Sequence, residues 1–465
     1  MQGGDQGSGN GAGTDGFDPS LYARFRSTGW TFDERTGDVQ CSYALETGDG
    51  RRIALREEFR FPNVDRLALD DDRRRVLHRL LDHLALVAGL SYYKLAAPAE
   101  VIVEHGIWSD ADVAYHRALL TNGLGEFCWE NNLDLLDPTW HFPVNQVSGR
   151  PPAVSLSLPN GPLVPVGGGK DSCVTIEAMR AAGAVPTLVT VRRFPVIQDV
   201  ITASGLGDVA VARVIDPSIG LLVARGALNG HVPVTAIVTW ASLIAALLGG
   251  HDAVVLSNER SASEGNVLYR GAEINHQWSK SAEAEVLLSE ALERITPSLR
   301  SFSLLRGMSE LLIARRFAAT CQRYLSTFSS CNGAFRSDPS RRVDRWDGTC
   351  AKCQFVFLAL ATVLDRREVE SIWGTDVFTS SAMSGFESLL GLSAWKPFEC
   401  VGESAECRVA LAMVSERADW RDHPVVSALC GAVRRAGLWP TNVQRASALT
   451  PDAVVMPIPY AGVLT

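Results

Sequence analysis

One stretch of this chain restricts its fold more than any other: Val166-Gly167-Gly168-Gly169-Lys170-Asp171-Ser172. An apolar extended run, Pro162–Val166, precedes it, and a helix-like run, Cys173–Arg180, follows and stops at Gly183. A strand, a glycine turn and a helix in that order present unpaired backbone N–H groups to an anion. Three glycines remove the Cβ atoms that would hold a phosphate away, and they tolerate positive φ. Lys170 adds a cation and Ser172 a hydroxyl donor. Asp171 fits beside a polyphosphate only if it holds a hard cation such as Mg²⁺. An ordinary glycine-rich turn would explain the glycines, but not Lys-Asp-Ser in phase with a helix.

The spacing is not that of a Walker loop, because GxxxxGK[ST] is absent. It resembles the PP-loop of the ATP pyrophosphatase superfamily, written SGGxDS, with Gly167 where serine is usual. That superfamily splits ATP between the α and β phosphates and transfers AMP to an oxygen of the substrate. The resemblance implies an ATP site made by Gly167, Gly168, Gly169, Lys170, Asp171 and Ser172, with Mg²⁺ at Asp171.

The surrounding pattern is α/β. Ala153–Leu158, Leu163–Val166, Pro186–Val191, Val209–Ile215 and Ala253–Leu256 read as short buried strands, several of them separated by helical runs. This predicts a mostly parallel sheet covered on both faces, with ligands beyond the carboxyl ends of its strands. The expected organisation is a disordered tail over 1–16, an N-terminal α+β domain over 17–150, a Rossmann-like PP-loop domain over 151–305, and a mainly helical region over 306–465. Within the first domain, Arg51–Phe59 reads as extended, and Val76, Leu77, Leu80, Leu81 and Leu84 mark an amphipathic helix. Ser148–Pro152 reads as a linker. Glu310–Tyr324 and Gln354–Leu364 read as helices of the last region.

Lys plus Arg number 44 against 52 Asp plus Glu, a formal charge of −8. General affinity for nucleic acid or a membrane surface is not expected. Ten cysteines are scattered along a chain with no signal-like segment, which fits a reducing cytoplasm. The most apolar segment is Val232–Gly249; its uninterrupted portion, Ala236–Gly249, is too short to span a bilayer and reads as a buried helix.

Polar groups cluster after the last of these strands. Ser257-Asn258-Glu259-Arg260-Ser261-Ala262-Ser263-Glu264-Gly265-Asn266 leaves its carboxyl end, and Glu273-Ile274-Asn275-His276-Gln277-Trp278-Ser279-Lys280-Ser281 follows. Both can be solvated loops, with Ser279 or Ser281 capping a helix that runs to Ile295. Their density at the functional edge of the sheet favours a site. A third constellation is Cys331 with Cys350-Ala351-Lys352-Cys353, where Asp347 continues the three-residue spacing. Three thiols and a carboxylate make a zinc site, or the cysteines are packing residues. A fourth, Lys396-Pro397-Phe398-Glu399-Cys400, is either a packed loop anchored by Trp395 and Phe398 or a substrate loop.

In this order, these motifs resemble the UDP-N-acetylmuramoyl-L-alanyl-L-glutamate epimerase family, called MurL, from about residue 20 to 430. Ala88–Lys94 fits as well. The resemblance implies an isomerase that uses ATP and Mg²⁺ to invert the terminal L-glutamate of a peptidoglycan precursor, a nucleotide-sugar peptide, releasing AMP and pyrophosphate. The role would be cell-wall biogenesis, and through it cell shape and division. The alternative is another adenylating PP-loop enzyme, a natural-product peptide epimerase or an amide-forming synthetase. Adenylation removes the charge that makes a glutamate Cα–H such a weak acid, and two groups of suitable pKa then move the proton. His276, Lys280, Glu259 and Glu264 are the catalytic candidates, with Cys400 a further one. Asn258, Arg260, Asn266, Asn275, Lys396 and Glu399 are the substrate-binding candidates. If the helix capped by Ser279 starts early, His276 and Lys280 share its N-terminal face. The positive end of the helix would then keep His276 neutral, as a base or as a nucleotide contact.

Overall fold

The computed structural model describes residues 16–62, 69–143, 152–336 and 338–464. The expected tail, except Gly16, and the expected linker, except Pro152, lie outside the described residues. The strands are β1 (Tyr22–Asp33), β2 (Asp38–Thr47), β3 (Arg52–Arg60), β4 (Glu100–Val103), β5 (Thr139–His141), β6 (Leu163–Pro165), β7 (Thr187–Val191), β8 (Asp208–Ile215), β9 (Ala253–Leu256), β10 (Val267–Tyr269), β11 (Ala272–Ile274) and β12 (Arg300–Ser303). β10 and β11 pair only with each other; the rest form one ten-stranded sheet ordered β12-β9-β6-β7-β8-β3-β2-β1-β4-β5.

β12, β9, β6, β7 and β8 run parallel, joined in part through the helices Lys170–Ala181 and Pro195–Ser204. Burial on both faces explains the uninterrupted apolar run of β9, Ala253–Leu256. Successive residues serve opposite cores: Leu163 and Val254 face one, and Val164 and Val255 the other. The first core holds the helices Asp71–Tyr93 and Val234–Gly249; the second holds Glu310–Thr320 and Ala351–Ala361. Among the described residues no helix is long and apolar enough to cross a membrane.

The meander β1–β3 joins this sheet where β3 pairs antiparallel with β8. There Arg213 Nε donates to Glu57 at 2.5 Å, with both side chains buried. β1 then carries β4 and β5 in parallel at the far edge.

Most expected elements form near their predicted bounds, with three differences. Ala153–Leu158 is not a strand: Val154 N–H donates to the Ile295 carbonyl and Leu156 N–H to Ser298 Oγ, so its backbone meets a helix end instead of a sheet. β12 was not foreseen, because Arg300-Ser301-Phe302-Ser303 carries a single apolar residue. The helix expected to run to Ile295 covers Ala282–Glu293, with Ser281 Oγ accepting from Ala284 N–H as its cap. His276 and Lys280 therefore precede it and share no helical face.

Candidate functional site

β6 and β9 are parallel neighbours, so the loops that leave their carboxyl ends lie side by side. The first is the glycine loop. Gly168 has φ +82°, and a Cβ there would meet Val196 at 3.2 Å, so the turn requires glycine. A Cβ on Gly167 would meet nothing within 4 Å, which leaves open space at the front of the loop. Gly169 caps the helix Lys170–Ala181 without a side-chain hydrogen bond. The first N–H groups of that helix thus lack a side-chain partner, as an anion site needs. Ser172 Oγ donates to the Gly169 carbonyl at 3.0 Å. Lys170 is buried and bonds both Asp171 and Glu310. Burial alone would lower its pKa, but the two carboxylates hold it up and keep the ammonium charged.

The second loop carries Glu259, which is 4% exposed. Burial pushes its carboxyl up, against the pull of Lys280; Asp171, Lys170 and Cys400 also lie within its electrostatic reach. Arg306 fixes this arrangement, donating from Nη1 to the Glu259 carbonyl at 3.0 Å and from Nη2 to the Lys280 carbonyl at 2.6 Å.

Beyond Glu259 the seam continues. Lys280 Nζ lies 3.2 Å from Cys400 Sγ. His276 lies within electrostatic reach of Cys400, and its Nδ1 bonds the buried Glu126 carboxylate. Burial opposes charge on His276, yet Cys400 and Glu126 raise it to about 9. The expectation of a neutral His276 is therefore corrected: the helix Ala282–Glu293 begins beyond it, and acidic groups lie beside it. Burial likewise opposes a charged Cys400, but Lys280 and His276 among its neighbours hold its thiol well below the usual range. His231, beside Glu126 at 3.3 Å, is pushed down to about 3 by burial and by His276. His231, His276, Lys280 and Cys400 border a cavity of about 550 Å³ that Lys94 and Arg213 also line.

The remaining sequence candidates are placed as follows. Asn266 Oδ1 accepts from His276 N–H at 2.8 Å, and its Nδ2 donates to the Pro397 carbonyl at 2.7 Å, tying the His276 segment to the Cys400 loop. Asn275 Nδ2 donates to the Ala262 carbonyl, and Asn258 Nδ2 to Ser303 Oγ. Both amides are thus engaged inside the protein. Glu264 pairs with the buried Lys396. Arg260 turns toward Glu403 and Asp452. Glu399 Oε2 accepts from Lys352 N–H at 3.1 Å. Phe398 packs at a tilt against Trp129 with ring centroids 4.6 Å apart, while Trp395 is largely exposed. Sequence reasoning missed Glu126, His231, Arg306 and Glu310. Of these, Glu310 opens a helix that the sequence predicted, Glu310–Tyr324, and the other three stand in no segment singled out above.

Cys331, Asp347, Cys350 and Cys353 offer four ligand atoms within 4.8 Å of one another. Cys350 Sγ lies 4.0 Å from Cys331 Sγ, and Cys353 Sγ donates to Asp347 Oδ1 at 3.3 Å. This donor set fits tetrahedral zinc. Cys331 and Cys353 pack with Val196, the residue against Gly168, and Ser329 N–H donates to the Gly168 carbonyl. The cluster therefore buttresses the glycine loop.

A family model described as the MurL N-terminal domain matches residues 16–304, and one described as the MurL C-terminal domain matches residues 327–442. Three relatives bear the name UDP-N-acetyl-alpha-D-muramoyl-L-alanyl-L-glutamate epimerase. One from Salinispora tropica is 42% identical over 95% of both chains. One from a Micromonospora species is 43% identical over 88% of this chain and 90% of its own. One from Xanthomonas oryzae pv. oryzae is 38% identical over the same shares.

Proposed function

The chain belongs to the MurL family, and we propose that it inverts the terminal L-glutamate of UDP-MurNAc-L-Ala-L-Glu with ATP, releasing AMP and pyrophosphate, in peptidoglycan biosynthesis. One observation carries this reading. A glycine loop suited to phosphate and a cavity holding Cys400, His276 and Lys280 are joined by one buried polar seam through Glu259. Activation of a carboxylate followed by proton transfer at its Cα needs those two chemistries side by side.

ATP would lie on Gly167–Ser172, with the backbone N–H groups facing its phosphates and the buried Lys170 holding Asp171 and Glu310 beneath them. Asp171 would hold Mg²⁺, which supplies neutralisation of phosphate charge. The glutamate α-carboxylate attacks the α-phosphate, pyrophosphate leaves, and the acyl adenylate no longer places a full negative charge beside Cα. The Cα–H then becomes acidic enough for a protein base. His276, Lys280 and Glu259 lie on the seam where this transfer would occur, and Glu264, held by Lys396, lies on the same loop as Glu259. Asn258, Asn266 and Asn275 would shape the substrate site through the backbone they hold, and Arg260, Lys396 and Glu399 would position its loops. Lys94 on the cavity wall, lowered by burial to about 8, is still charged at neutral pH and suits an anionic nucleotide-sugar peptide, whereas Arg213 there is paired with Glu57. Zinc at Cys331, Asp347, Cys350 and Cys353 would be structural. The absence of any membrane-crossing helix among the described residues fits a cytoplasmic enzyme acting on a soluble precursor.

The test is incubation with UDP-MurNAc-L-Ala-L-Glu, ATP and Mg²⁺ in deuterated water. D-Glutamate carrying deuterium at Cα, with stoichiometric AMP and pyrophosphate, is the expected result. Pyrophosphate release with no D-glutamate, or amide formation with an added amine, would refute it.

A further inference from the structure

On the epimerase reading, we propose that Cys400 carries the Cα proton on one face of the glutamyl residue, as a thiolate paired with His276 and Lys280, and that Glu126 is the residue positioning the imidazole.

The geometry comes first. Cys400 is half-buried on the cavity wall, and Lys280 Nζ stands 3.2 Å from its sulfur; Lys352 and the imidazole of His276 lie within its electrostatic reach. Nδ1 of His276 is taken by Glu126, so Nε2 is the nitrogen left for sulfur. A carboxylate at one ring nitrogen and a thiolate at the other is the arrangement that keeps both nitrogens protonated. The sulfur is also held in place from its own loop. Asn266 ties Pro397 to the His276 segment, Phe398 packs against Trp129, and Val401 is fully buried. Glu126 and Trp129 lie on the same short helix, Gly125–Glu130, so one element aligns both halves of the pair.

Among the three groups Lys280, His276 and Cys400, the proton inventory then singles out the sulfur. Lys280 is held as an ammonium; burial opposes this, but Cys400 and Glu259 more than offset it. His276 is held as an imidazolium. Neither can accept a proton in that state. Cys400 has the free pair, and as a thiolate it is a competent acceptor. Of the ten cysteines only Cys350 and Cys400 are not buried, and Cys350 belongs to the Cys331–Asp347–Cys353 cluster.

The step balances without a further reagent. The sulfur takes the Cα proton as S–H. The Cα–H pair becomes the Cα–C double bond of an enolate, and the carbonyl π pair moves onto oxygen. A second O–H or N–H acid on the opposite face returns a proton to Cα, and water releases AMP. In the reverse direction the Cys400 thiol is the donor.

The deciding variant is Cys400→Ser, assayed with UDP-MurNAc-L-Ala-L-Glu, ATP and Mg²⁺ in deuterated water. The expected result is pyrophosphate release within about tenfold of the parent and D-glutamate formation reduced at least about a hundredfold. Complete loss of deuterium uptake would place the sulfur on the L face. Uptake with retained configuration would place it on the D face. D-Glutamate formation within about tenfold of the parent overturns the proposal, as does loss of pyrophosphate release in a folded variant. Absence of pyrophosphate release in the unaltered protein would instead refute the epimerase reading. A second measurement uses the unaltered protein: iodoacetamide near neutral pH should label Cys400 before any buried cysteine, and substrate should protect it. Glu126→Gln should move the pH midpoint of that labelling upward, because imidazolium beside the sulfur is lost. An unmoved midpoint would remove Glu126 from the pair.

Discussion

Lys280 Nζ and Cys400 Sγ stand 3.2 Å apart, although 120 residues separate them in the chain. Two segments make that contact. One leaves the hairpin β10–β11, and the other is the loop that Trp129 pins from the N-terminal part of the chain. The contact sits on the seam that runs from Glu310 and Lys170 through Glu259 to Glu126. Substitutions along this seam should separate adenylation from proton transfer.

Asp171→Asn keeps the shape of the first helical turn and removes the charge proposed to hold Mg²⁺. AMP formation should fall at least about a hundredfold, with melting little changed. Chromatographic measurement of AMP checks this, and parent-like AMP production would end the assignment of Asp171.

Gly167 and Gly168 should respond differently to alanine. At Gly168 the positive φ costs a side chain about 1–2 kcal/mol, and Val196 is already close. Gly168→Ala should therefore lower both melting temperature and turnover. Gly167 has open space around it and no positive φ, so Gly167→Ala should fold normally and raise the KM for ATP. Equal melting and equal KM for the two variants would contradict this account of the loop.

The Cys331, Asp347, Cys350 and Cys353 cluster should carry about one zinc per chain, measured by elemental analysis of protein purified without added metal. Chelation should lower the melting temperature and weaken ATP binding together, because the cluster packs against Val196 behind Gly168. No zinc, with melting unchanged by chelator, would return the cysteines to plain packing.

Glu406 is 3% exposed and its Oε2 has no hydrogen-bond partner. Burial, then the charge of Glu403, pushes its carboxyl up from 4.5 to about 7. A carboxyl raised on folding contributes stability that is whole below its unfolded pKa and is lost as pH rises through the folded value. Glu406→Gln should thus be neutral near pH 4.5 and stabilising by about 3 kcal/mol near pH 8.5. Denaturant titrations at the two pH values decide it, and equal effects at both would contradict the shift.

The sequence alone determined the glycine loop, the parallel strands around it, the helix that follows it and the cysteine spacing. Each is written in local periodicity or in a few consecutive residues, where backbone sterics and side-chain alternation act over one or two turns. Resemblance of the ordered motifs supplied the family. Only the tertiary structure decided which side chains meet. Glu126 reaches His276 across 150 positions, and Arg306 clamps the Glu259 and Lys280 carbonyls from a third segment. It also decided that Asn258 and Asn275 bond within the protein and that Arg260 faces Glu403 and Asp452. His276 shows the physical reason. Read locally, it stands near a helix start whose positive end would keep it neutral. In the fold it bonds Glu126 and has Cys400 within electrostatic reach, both drawn from distant segments. Charge state follows from neighbours in space, and those are set by how the sheet and its loops close on one another.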